Sequence, residues 1–318
     1  MLTTPVVRCI KQQVPGAEVH YLTKRAFRQI IENNPYIDKG FYLDKDLPGL
    51  LSDLKKEKYD YVIDLHNNLR TWRVKRALAT KSATFNKLNI RKWLLVNFRV
   101  NKLPGEHIVD RYMNAASLLH VKNDKKGLDF FIPESDRINR ESLPENHRRG
   151  YVAFAIGAQH FTKRLPVKKI IAICSNIDKP VLLLGGRDDM ENGYIIQNAL
   201  GQKIYNACGL YNINQSASLV QQSEAVISHD TGLMHIAAAL GKNIVSIWGN
   251  TIPEFGMSPY LKGKDAVSRI VEVQHLECRP CSKIGHQKCP KGHFNCMGMI
   301  SEAEVTEALT AVCNSSSK

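Results

Sequence analysis

Short apolar runs alternate along this chain with longer stretches of helical periodicity. In the first half, Glu18–Leu22, Tyr61–Leu65 and Ala83–Phe85 read as strands, and Arg25–Asn33, Leu69–Ala79 and Glu106–Leu119 as helices. In the second half the strand runs are Tyr151–Ile156, Val181–Gly185, Ala225–Ser228 and Asn243–Trp248. The helices there are Val167–Asn176, Asp188–Leu200, Gln215–Gln222 and Gly232–Leu240. Strands separated by helices predict parallel sheets and an α/β class. The polar stretch Val121–Arg149 divides the two series. The pattern therefore predicts two doubly wound domains, residues 1–135 and 136–318, with a ligand site in the cleft between them. The one low-complexity tract is the tail Ser315–Ser317.

Composition narrows the class. The chain has 318 residues, 43% hydrophobic and 23% charged, which excludes disorder, collagen and fibre as the main state. No apolar run approaches the roughly 20 residues that span a bilayer, and the opening MLTTPVVRCIKQQ lacks a signal-peptide core, so a cytoplasmic location is expected. The net charge of +14 is uneven. Residues 1–150 hold 28 basic and 17 acidic side chains, and residues 151–318 hold 16 and 13. An anionic partner is expected on the first half. Residues 69–104 carry ten Lys or Arg and no acid, with Trp72, Phe85, Trp93 and Phe98 interleaved. Arg70, Arg73, Arg76, Arg91, Lys92 and Trp93 are candidates for an anionic membrane surface or an acceptor's phosphates. A basic helix pair with aromatics in the core reads equally well. No nucleic-acid-binding module is recognised, so nucleic acid is not expected.

Four motifs carry candidate chemistry. Residues 225–241, AVISHDTGLMHIAAALG, run from a buried strand through Asp230, Thr231 and Gly232 into an Ala-rich helix that also carries His235. The unpaired N–H groups and positive dipole end of such a helix suit a diphosphate, although an N-capped helix without a ligand reads the same way. The next strand leads into Gly249-Asn250-Thr251. A strand ending at Gly157 leads to Thr162, Lys163 and Arg164, where a lysine can neutralise a leaving phosphate. Gly185, Gly186 and Asp189 follow another strand, and a carboxylate after such a turn can hold ribose hydroxyls.

Together these elements resemble the glycosyltransferase family of the lipopolysaccharide heptosyltransferases. Asp-Thr-Gly-x-Met-His followed by Gly-x-Thr-x-Pro is similar to that family's donor-site signature. Gly157…Thr162-Lys163-Arg164-Leu165-Pro166 is similar to its phosphate-side loop. Thr3-Thr4-Pro5-Val6 and Tyr61-Val62-Ile63-Asp64-Leu65-His66 resemble its first domain. The resemblance implies a GT-B fold of two Rossmann-like domains and an inverting, metal-independent transfer. The donor would be ADP-heptose and the acceptor the lipid A-core, on the inner face of a bacterial inner membrane. It implies that Lys163 stabilises the leaving diphosphate, and that Thr162, Gly185, Asp230, Thr231, Gly232, His235 and Thr251 line the donor site. Asp189 would lie near the ribose and Tyr211 near the adenine. No cofactor is required for catalysis.

One departure counts against this match. The family places a strand and a Gly-Asp loop, bearing the general base, directly before the Leu-Thr-Thr-Pro stretch. Here the sequence opens at Met1-Leu2-Thr3-Thr4-Pro5. The expectation is a late-assigned start or a truncated gene, a first domain lacking its first strand, and an impaired form; Asp64 and His66 are weak substitutes. Cys278, Cys281, Cys289 and Cys296, in the Cys-rich loop 275–297, permit a structural zinc, free thiols or a disulfide. The alternatives to an active enzyme are a nucleotide-binding remnant and a basic, zinc-bearing interaction protein.

Overall fold

The structure is a computed structural model that describes residues 1–263 and 266–314; the serine tail lies outside the described residues. In the first half, α1 (Thr4–Gln13) leads to β1 (His20–Lys24), α2 (Arg28–Ile31), β2 (Lys39–Leu43) and α3 (Leu47–Lys56). Then come β3 (Tyr61–Asp64), α4 (Leu69–Leu78), β4 (Lys81–Thr84), α5 (Asn89–Phe98) and α6 (Ile108–Ala116). Asn68 and Thr71 close a capping box at the start of α4, and Ala79 ends it in the left-handed conformation.

The first half does not form the single doubly wound sheet expected from its pattern. Strand β1 pairs with β2 and β3 with β4, both parallel, and no described strand joins the two pairs. With two strands each, these sheets depend on helix packing: Phe41, Leu54 and Val74 form one small core, and Phe85, Ile108 and Ala115 another.

The second half comprises α7 (Glu145–Arg148), β5 (Val152–Ala155), α8 (Val167–Ser175), β6 (Val181–Leu184), α9 (Met190–Leu200), β7 (Ile204–Asn206) and α10 (Ile213–Gln222). It continues through β8 (Ala225–His229), α11 (Gly232–Ala239), β9 (Ile244–Trp248), β10 (Ser268–Glu272), α12 (Asn295–Gly298) and α13 (Glu302–Asn314). All six strands are parallel, in the order β10-β9-β8-β5-β6-β7. Counted from β5 as the first strand of this half, that is the doubly wound 3-2-1-4-5-6.

The apolar runs of β5, β6, β8 and β9 are buried along their whole length because helices cover both faces. Side chains alternate between two cores: Val152, Phe154, Leu183 and Ile227 pack on one face, and Tyr151, Ala153, Leu182 and Val226 on the other.

The polar stretch between the halves is not a free linker. Leu128 and Leu143 enter the core of the second sheet, and Phe130 packs on Ala217 and Ile236. Its start is pinned to α1 by Arg8, which is 3% exposed. The Arg8 guanidinium makes two 2.8 Å bonds to the Asp124 carboxylate, donates to the Gly127 carbonyl at 2.9 Å, and pairs with Asp129. Removing it would leave two carboxylates without their cation. Arg8→Met should cost about 3 kcal/mol of stability, visible as a lower urea midpoint, because a broken buried pair strands a charge.

Candidate donor site

Strand order decides where a ligand can sit. In an open α/β sheet the crevice lies beyond the carboxyl ends of the strands, where the winding reverses. Here the reversal falls between β5 and β8, which are hydrogen-bonded neighbours. The loops leaving those two strands carry Lys163 and Asp230.

The two side chains meet. Lys163 Nζ lies 2.5 Å from Asp230 Oδ2, and the Thr251 hydroxyl donates to the same oxygen at 2.9 Å. One carboxylate thus ties together the loops after β5, β8 and β9. Asp230 and Thr251 are buried, at 8% and 2% exposure. Thr231 occupies the N-cap of α11 without a side-chain cap bond, and its hydroxyl lies 3.3 Å from that of Ser228. Gly232 is exposed, and a Cβ there would meet nothing within 4 Å. There is thus free space beside Gly232 at the start of α11, as an anion site at a helix N-terminus requires.

His235 is buried with its Nδ1 unpartnered, and burial lowers its pKa to about 4. His229 is driven lower, to about 3, by burial and then by Arg164; its Nε2 accepts the Leu165 N–H at 3.2 Å. Both imidazoles are neutral at pH 7.

Other expected donor-site residues are engaged within the protein. The Thr162 hydroxyl accepts the His286 N–H at 2.8 Å, and the Thr162 N–H reaches the His286 carbonyl at 3.2 Å. Asp189 accepts the Gly186 N–H at 2.9 Å and lies 3.3 Å from Arg164. Gly157 and Gly185 have no room for a side chain: a Cβ at Gly157 would fall 2.1 Å from the Asp189 carboxylate, and one at Gly185 2.7 Å from Asp189 Cβ. Asp189 is therefore a brace between loops. The Tyr211 hydroxyl is 3.1 Å from that of Tyr205.

Asp64 is likewise occupied. Its Oδ1 accepts the N–H groups of His66 and Asn67, and Oδ2 lies 3.0 Å from Lys75 Nζ. Burial opposes its ionisation, but these partners outweigh burial and lower its pKa.

The Cys-rich loop packs directly onto this site. All four of its cysteines are free thiols, and among the described residues no group of three or more His, Cys, Asp or Glu is arranged to hold a metal ion. Burial, reinforced by the neighbouring thiols, pushes Cys296 up to about 12. Hydrogen bonds fasten the loop. Arg279 donates to the carbonyls of Gly249, Thr251 and Val273 at 2.5, 3.0 and 2.7 Å, and pairs with Glu272 at 2.6 Å. Sequence reasoning missed Arg279, whose carbonyl partners leave no residue signature.

Of the basic candidates, Arg70, Arg73, Arg76 and Arg91 face solvent, Trp93 is 50% exposed, and Lys92 turns inward to lie 5.5 Å from the Phe255 ring.

The sequence profile of glycosyltransferase family 9 (heptosyltransferase) matches residues 49–289. The chain belongs to glycosyltransferase family 9. This family-9 glycosyltransferase is 33% identical over 304 residues to lipopolysaccharide heptosyltransferase 2 of Salmonella typhimurium, covering 86% of each chain. It is 26% identical over 310 residues to lipooligosaccharide heptosyltransferase 2 of Haemophilus influenzae, covering 90% of this chain and 89% of that one. Its fold matches that of E. coli ADP-heptose lps heptosyltransferase II with a TM-score of 0.72 at 20% identity, over 100% of this chain and 96% of the other. A family-9 enzyme from Veillonella parvula gives 0.74 at 23%, over 98% and 93%. The GT-B fold expected from the sequence is thus the fold of this glycosyltransferase.

The two buried histidines of this family-9 site give it an acid weakness. Unfolded imidazoles take up protons near pH 6.5, whereas the folded ones resist until about 3 and about 4. Stability is therefore lost as pH falls below 6.5, by up to about 1.4 kcal/mol per pH unit for each histidine. Urea midpoints between pH 7 and pH 5 should show this slope, and His235→Gln should remove about half of it.

Proposed function

We propose that this glycosyltransferase moves a heptose from ADP-heptose to the inner core of a lipopolysaccharide, by inverting transfer without a catalytic metal. The observation that carries the proposal is the Lys163–Asp230–Thr251 cluster beside the open helix N-terminus at Gly232, at the switch point of the second sheet. The relatives' names supply the sugar and the acceptor class.

The chemistry follows from charge. Inverting transfer needs the diphosphate to leave from one face of the anomeric carbon while the acceptor oxygen attacks the other. The transition state resembles an oxocarbenium ion, with negative charge growing on the departing phosphate. Lys163 stands where its ammonium can neutralise that charge, and the α11 N–H groups supply fixed donors. In the free protein Asp230 holds the lysine in place, and Thr251 holds Asp230.

Calorimetric titration with ADP, with UDP and GDP as controls, tests the donor map. Selective ADP binding is expected. Lys163→Ala should weaken it and lower the transfer rate by about 10²-fold or more, as loss of a charge-stabilising donor does. No ADP binding by the folded chain would refute the reading; ADP binding without transfer would mark a nucleotide-binding protein that does not turn over.

We also propose that the enzyme works peripherally at the cytoplasmic face of the inner membrane. Leu69, Trp72, Ile90, Trp93 and Phe98 are 49–76% exposed among the arginines of α4 and α5. Apolar side chains interleaved with cations suit an anionic bilayer surface. The chain should co-sediment with phosphatidylglycerol vesicles at low salt, and less with neutral ones. Trp72→Ser with Trp93→Ser should weaken the association while the fold is retained; equal binding to both vesicle types would exclude this surface.

A further inference from the structure

Two cavities open along the seam between the first half and the loops leaving β9 and β10, with volumes of about 300 and about 750 Å³. Asn101 and Glu254 line both, so the two form one continuous groove. Ile252 and Glu254 line it from the loop after β9, Glu272 to Pro280 from the end of β10 onward, and Leu95 and Arg99 from the first half. The groove thus lies at the carboxyl ends of two parallel strands, where α/β sheets receive ligands. It also lies near the donor cluster. Glu254 follows Thr251 by three positions, so their Cα atoms are at most about 11 Å apart.

The cations along this groove are committed to its walls. Arg99 donates through Nε to the Glu277 carbonyl at 3.0 Å and through Nη1 to the Pro280 carbonyl at 2.8 Å. Arg279 spends all three of its nitrogens on carbonyls and on Glu272. The carboxylates are free. Glu254 and Glu277 are exposed, and among the described residues neither side chain has a hydrogen-bond or ion-pair partner. Asn101 turns its Oδ1 to the Leu103 N–H at 3.0 Å, which leaves its amide N–H groups for a ligand.

Free carboxylates repel phosphate and accept from hydroxyls, and an O–H···O⁻ bond is roughly twice as strong as a neutral one. Leu95, Leu103, Ile252 and Leu276 supply apolar surface between the polar groups, as small-molecule sites require. We propose that this groove binds a neutral sugar of the acceptor, with Glu254 and Glu277 accepting from its hydroxyls and Asn101 donating to it. Its chemistry is the opposite of the donor cluster's, where a lysine and a helix N-terminus await a diphosphate. This deepens the functional reading, on which it rests for the source of the sugar.

Titration of the full chain with a dephosphorylated heptose disaccharide, followed by saturation-transfer NMR, tests the groove without requiring transfer. The disaccharide should bind the wild-type chain and Lys163→Ala alike. Glu254→Gln should weaken it about tenfold, and Glu254→Gln with Glu277→Gln further, because charge-assisted bonds become neutral ones. Both side chains are exposed, so the fold should be retained, which an unchanged urea midpoint checks. In transfer assays Glu254→Gln should raise the acceptor KM by a similar factor and leave ADP affinity as it was. No disaccharide binding by the folded chain, or unchanged affinity in the double variant, would overturn the site. So would tighter binding in Glu254→Gln, the mark of an anion in the groove, or displacement of the disaccharide by ADP-heptose, the mark of the donor's own sugar. A chain that binds the disaccharide here but transfers no sugar would refute the enzyme reading and leave the sugar site standing. An active Glu254→Gln enzyme with unchanged acceptor KM would do the reverse.

Discussion

The Asp230 carboxylate is the constraint on which the donor site depends. It accepts from Lys163 on the loop after β5 and from Thr251 on the loop after β9, while standing at the end of β8. Three strand ends are thereby held in one arrangement by one buried anion. The arrangement is balanced: a lone carboxylate at 8% exposure would be expensive, and a lone lysine beside it equally so. The same pairing fixes the position of the ammonium at the switch point of the sheet.

Around that centre, Thr162, Asp189 and Arg279 hold the loops together. Their hydrogen-bonding groups are engaged by backbone or by neighbouring charges, and small residues at Gly157 and Gly185 let Asp189 lie close. The Thr162 hydroxyl fastens the Cys-rich loop to the loop after β5.

The second half was legible in the sequence because its strands are buried on both faces. Apolar runs such as Val181–Leu184 and Ala225–His229 can hardly read as anything else, and the turns after them bear the chemistry. The first half was less legible. The chain forms α1, β2, α3 and α5 in stretches where the sequence reading predicts no element. Its split into two strand pairs agrees with the expected lack of a first strand in that half, since no described strand lies between the pairs. The cysteines drew attention to their loop for their metal-ligand spacing, and Arg279 between them adds hydrogen-bonded fastening that the sequence does not signal.

The docking of the Cys-rich loop bears on how this protein can be dissected. By strand count alone, residues after β10 look like a removable appendix, since the central sheet is complete before them. Yet Arg279 grips the carbonyls of Gly249 and Thr251, Met297 crowds Gly249, and α13 packs along the sheet through Val305, Leu309 and Val312. Residues 273–314 are thus the outer wall of these loops. A shortened chain ending at β10 would keep every residue of the Lys163–Asp230–Thr251 cluster and lose the scaffolding that sets their spacing.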